Sequence, residues 1–127
     1  MSFMSKLFRL STVVLLSFGI FTAANAATPE TRADGVTVIH LDEYNGYFAA
    51  KETLAGLKAG KYEFIITNKS PKLVGFQIQS LSDRDTLDMF PLEPGETRTS
   101  KITIGDDGVR FRCPINPTPW YDLDVIK

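Results

Sequence analysis

The chain has 127 residues, 43% of them hydrophobic, and its 14 basic and 15 acidic side chains give a formal net charge of −1 at pH 7. That length suits an export signal followed by one domain with a single core, and the charge balance excludes the basic footprint of a nucleic-acid binder. One cysteine, Cys113, excludes an intramolecular disulfide, and one histidine, His40, excludes any site built from two imidazoles of one chain.

Lys6 and Arg9 precede an apolar stretch from Leu10 to Phe21, and Ala24-Asn25-Ala26 has the small-x-small form of a cleavage site. The apolar run is about a dozen residues, short of the ~20 that span a bilayer. Cleavage is therefore expected after Ala26, with no stable membrane anchor afterwards. No cysteine stands where a lipid-modified signal would need one. The expected organisation is a signal peptide over 1–26, a polar arm over 27–35 and one domain over 36–127. Cleavage removes two cations and leaves 12 basic against 15 acidic residues.

From Gly35 onward the pattern is of strands with a two-residue period. Val36, Val38 and His40 share one face of the first, with Thr37, Ile39 and Leu41 on the other. Tyr62, Phe64 and Ile66 alternate with Glu63, Ile65 and Thr67 until Asn68-Lys69-Ser70-Pro71 breaks the run. Val74, Phe76 and Ile78 alternate with Gly75, Gln77 and Gln79. Leu81 to Leu92 reads as an irregular excursion, an acidic turn or short helix. Pro94-Gly95 turns the chain into a strand from Thr97 to Ile104, and Asp106-Asp107-Gly108 turns it into Val109, Phe111 and Cys113. Arg110 and Arg112 take the opposite face. Tyr121, Leu123 and Val125 make the last alternation. About seven strands with regularly spaced turns predict an all-β sandwich.

Candidate chemistry is sparse. One histidine leaves no serine–histidine–aspartate arrangement, and no phosphate loop or zinc spacing is present. Asp83, Asp85 and Asp88 are spaced as in a calcium loop but lack its glycine and closing glutamate. No enzymatic activity is expected. Cys113 reads as a small buried hydrophobe at a strand end. A metal site of Cys113 with His40 and Met89 would match Cu(I) in softness, but nothing in the sequence brings the three together.

Leu57-Lys58-Ala59-Gly60-Lys61-Tyr62-Glu63-Phe64-Ile65-Ile66-Thr67-Asn68, followed by Cys113-Pro114-Ile115-Asn116-Pro117-Thr118-Pro119-Trp120-Tyr121, resembles the cupredoxin family along nearly the whole domain. The Cys-Pro-Ile-Asn-Pro-Thr-Pro form is similar to a cupredoxin-like subgroup of exported bacterial proteins. The resemblance implies a Greek-key sandwich and a location in the bacterial periplasm. It also implies a degenerate type 1 copper site. Lys72, or Val74 if the gap is placed differently, stands where copper-binding members carry a histidine. Cys113 keeps its place, Asn116 replaces the second histidine, and Trp120-Tyr121 fall at the axial position. A type 1 centre needs two imidazoles and a thiolate, and this set does not provide them. With copper gone, prolines 114, 117 and 119 would stiffen the loop, and Asn116 would tether it through its amide. The expectation is a non-catalytic, cofactor-free module that binds a periplasmic protein or small ligand. The alternative is a periplasmic copper-binding or electron-transfer protein with an atypical site at Cys113.

Overall fold

The structure, a computed structural model, describes residues 26–126; the expected signal peptide lies, except for Ala26, outside the described residues. Nine strands follow in order: β1 (Glu30–Thr31), β2 (Thr37–Tyr44), β3 (Tyr47–Ala50), β4 (Gly60–Asn68), β5 (Val74–Ser80), β6 (Thr86–Leu92), β7 (Thr97–Ile104), β8 (Val109–Arg112) and β9 (Tyr121–Leu123). There is no helix among the described residues, and the strands form two sheets of an all-β sandwich.

The first sheet runs β1-β2-β4-β7, with β3 also on β2; the second runs β6-β5-β8-β9. β2 and β4 are parallel, with Ile39 beside Phe64 and Glu43 beside Asn68. β4 and β7 are antiparallel. The period-two pattern explains the core, because alternate side chains project to one face of a strand. Tyr62, Phe64 and Ile66 of β4 meet Phe76 and Ile78 of β5 and Val109 and Phe111 of β8, all buried. Phe111 stacks on Tyr121 with ring centroids 5.0 Å apart, and Phe48 of β3 meets Phe76, Phe111 and Tyr121 edge-on.

Two segments depart from the sequence reading. The excursion at 81–92 ends in β6, an edge strand whose Phe90 and Leu92 point inward and whose Leu87 and Met89 stay exposed. Asp88 masks that alternation: its carboxylate accepts from Ser100 Oγ at 2.7 Å, which satisfies a fully buried hydroxyl on β7. The second departure is the β2–β3 hairpin. Tyr44 pairs with Tyr47 across a two-residue Asn45-Gly46 turn, and both turn residues have positive φ (53° and 98°). Asn-Gly is the sequence that such a turn favours. This hairpin, the β4–β5 loop, the β6–β7 turn and the β8–β9 loop gather at one end of the sandwich.

Candidate functional site

At that end the inner faces become polar. On β2 the inward series Ile39, Leu41 continues to Glu43; on β4 the series Phe64, Ile66 continues to Asn68. Glu43 is 0% exposed and Asn68 is 1% exposed, so both groups have left water. Cys113 faces them from the other sheet, also fully buried and directly after the inward pair Val109 and Phe111.

Asn68 resolves its burial completely. Its Nδ2 donates to Lys72 O at 2.7 Å and Leu92 O at 3.0 Å, and its Oδ1 accepts from the Ser70 backbone N–H at 2.9 Å and from the Ser70 hydroxyl. One side chain thereby ties the β4–β5 loop to the end of β6. Glu43 is the opposite case. Neither carboxyl oxygen has a hydrogen-bond partner, and a buried polar group without partners is costly. Burial pushes its pKa from the ordinary 4.5 to about 7, with the nearby Cys113 thiol opposing the rise.

The Cys113 sulfur accepts two backbone N–H groups, from Gly75 at 3.4 Å and from Asn116 at 3.3 Å. Glycine at 75 leaves room for this approach, since a Cβ there would stand 3.2 Å from both the Pro114 ring and Phe90 O and would need them to give by a few tenths of an ångström. The loop after Cys113 closes over the pair. Asn116 Nδ2 donates to Asn45 O and Thr118 Oγ1 donates to Gly46 O, each at 2.7 Å. The amide of Asn116 thus tethers the loop to the Asn-Gly turn, the role expected of it.

Lys72, Cys113 and Asn116 lie at the same end. Lys72 is exposed in the β4–β5 loop, and its carbonyl holds Asn68. Val74, the other position weighed for a ligand, is a buried core residue. Tyr121 lies against Phe111, and its hydroxyl accepts from the Phe48 N–H at 3.1 Å. His40 is not brought to this end: it points away from the core, and its ring Nδ1 lies 2.7 Å from Glu52 Oε2. Met89 is 57% exposed on the outer face of the other sheet. Cys113, His40 and Met89 therefore occupy three separate environments. Asp83 and Asp85 are exposed, and Asp85 N–H donates to Asp83 Oδ1 in a local turn.

These residues do not fit a type 1 copper ion. No imidazole approaches Cys113, and the Asn116 amide nitrogen is committed to Asn45. Among the described residues no three His, Cys, Asp or Glu side chains gather as a metal cluster. Among the described residues, the ionisable pair buried at the site is Glu43 with Cys113. Glu43 was missed by the sequence reading, which stopped the strand at Leu41. Extending the same alternation by one step places a carboxylate in the core. No protein-family model matches the chain, and no curated protein matches it.

Proposed function

We propose that this chain is an exported, non-catalytic cupredoxin-like binding module that has lost type 1 copper and binds its ligand at the Cys113 end. The observation that carries the reading is the unpartnered Glu43 carboxyl beside a sulfur already accepting two N–H groups. A buried acid left without partners is a site that something else completes, because structural acids are paired or hydrogen-bonded.

The donor set favours a metal ion of atypical coordination over a small organic ligand. A carboxylate and a thiolate carry two negative charges, and one divalent cation neutralises both in a place water does not reach. Thiolate selects for copper or zinc over hard cations, and copper stands at the top of the affinity order for such donors. Deprotonation of both groups accompanies metal binding, so affinity rises with pH. Two protein donors leave coordination positions for a further ligand.

The test uses the mature protein with Cu(II) and with Co(II), whose thiolate bands report direct sulfur coordination. The expected result is one equivalent bound with a thiolate band, lost in Cys113→Ser and weakened at least tenfold in Glu43→Gln. No band and no retained metal, in oxidised and reduced samples alike, overturns the metal reading and leaves the end as a protein-binding surface.

A further inference from the structure

The outer face of the four-stranded sheet carries two rows of side chains in cross-strand register. One row runs Met89, Gln77, Arg112; the other runs Thr86, Gln79, Arg110, Asp122. Residues directly opposite in antiparallel strands project to the same side. Since Phe76, Phe90 and Phe111 fill the interior, both rows face outward.

At the β8 end the two guanidiniums lie over one indole, with Arg110 Cζ 3.9 Å and Arg112 Cζ 4.2 Å from the Trp120 ring centroid. Arg110 Nε donates to Gln79 Oε1 at 3.0 Å, while Arg112 Nε is buried with no partner. Arg84 is close enough to repel Arg110, as Arg112 does, and Asp122 opposes them. Among the described residues, none of these three arginines has a carboxylate within ion-pair distance. In a chain of net charge −1, one face thus collects unpaired positive charge. At the β6 end the same face exposes Met89 (57%), and the bulge residue Leu87 beside it is also exposed (41%).

We propose that this face docks a partner protein that presents carboxylates next to apolar side chains. Arginine, tryptophan and methionine are enriched in the buried centres of protein interfaces, and guanidiniums pair with carboxylates in a planar, two-pronged geometry. One row crosses three strands and the other four, about 10 and 14 Å at the usual strand spacing, which is wider than one small anion. Asp83, Asp85 and Asp122 border the arginines and would be repelled by a uniformly anionic membrane. A protein surface can place its carboxylates opposite the arginines alone. This surface is separate from the Glu43–Cys113 end and stands whether or not a metal binds there.

Trp120 is the only tryptophan of the chain, so its fluorescence reports occupancy of the patch. The mature protein is titrated with a soluble peptide of alternating Asp and Leu, and in parallel with its Asn–Leu counterpart, inorganic phosphate and phosphatidylglycerol vesicles. The expected result is a saturable change with the Asp–Leu peptide. Binding should be at least tenfold weaker for the Asn–Leu peptide, at least tenfold weaker in an Arg84→Gln/Arg112→Gln variant, and severalfold weaker in Met89→Ser. An unchanged urea midpoint in the double variant and in Met89→Ser separates lost binding from lost folding, and Arg84→Gln alone, at an exposed side chain, should still weaken binding severalfold. An equal response to phosphate, binding of vesicles with an inert peptide, or peptide binding untouched by the variants overturns the proposal. So does no response to the Asp–Leu peptide, or displacement of that peptide by self-association of the chain in sedimentation.

Discussion

Glu43 and Cys113 enter the interior from opposite sheets and meet at one end of it, the carboxyl without a hydrogen bond and the sulfur with two. The contrast with Asn68 is informative. That amide stands beside Glu43 in the β2–β4 register and meets four partners. The fold can therefore satisfy a buried polar group at this depth fully, and beside Glu43 it sets only the Cys113 thiol.

The unpaired acid makes stability fall as pH rises. Its folded pKa of about 7 lies above the ordinary 4.5, so the folded state holds the proton more tightly. Below about pH 4.5 both states are protonated and ionisation adds no cost to that of burying the neutral acid. Between about pH 4.5 and 7 the unfolded chain releases the proton first, and the folded state loses on the order of 3 kcal/mol. Urea unfolding of the metal-free protein at pH 5 and pH 8 measures the loss. In Glu43→Gln the loss across this window should disappear.

Cys113 should be protected and costly to replace. It is 0% exposed, so a thiol reagent should label the native protein far more slowly than the unfolded chain. Cys113→Ser buries a hydroxyl in place of a weakly polar thiol, at a cost of about 1–3 kcal/mol. Chemical denaturation measures that cost, and labelling at the unfolded rate contradicts the burial.

The strands carrying the core were legible because Tyr62-Phe64-Ile66 and Val74-Phe76-Ile78 alternate without interruption. β6 was not, because Asp88 occupies a core-side position and finds its partner, Ser100, on a strand distant in sequence. The Cys113 end was half legible. Asn116 between prolines announced a tether, and the structure supplies its acceptor, Asn45 O. The Asn45-Gly46 turn was readable from its dipeptide but was passed over. Glu43 eluded the reading because an acid is assigned to solvent by type. Only its position in the alternation, two residues beyond Leu41, places it inside.

Removing the tether should loosen the cover before it unfolds the domain. Asn116→Ala deletes the 2.7 Å bond to Asn45 O, a neutral bond on a partly exposed loop, worth about 0.5–1.5 kcal/mol. The backbone N–H of residue 116 still reaches the sulfur. The expected outcome is a small shift in the urea midpoint with several-fold faster labelling of Cys113. Unchanged labelling would show that the prolines alone hold the loop.

Gly46 is where the hairpin and the loop press together, and Gly46→Ala should be the most damaging small substitution at this end. Its φ of 98° lies in a region that disfavours side chains, and a Cβ would stand 2.8 Å from Asn116 O and 3.1 Å from Thr118 Cγ2. The backbone oxygen cannot rotate away, so the turn or the loop must move. Strain at such a φ costs about 1–3 kcal/mol, and displacement of the loop threatens both 2.7 Å bonds from Asn116 and Thr118. Gly35→Ala is the matched control, because Gly35 also has positive φ (87°) but no atom within 4 Å of its would-be Cβ. Both variants should lose stability in urea unfolding, Gly46→Ala by more, and only Gly46→Ala should expose Cys113 to the thiol reagent. Equal losses in the two would assign the whole effect to φ and remove the hairpin as part of the cover over Glu43 and Cys113.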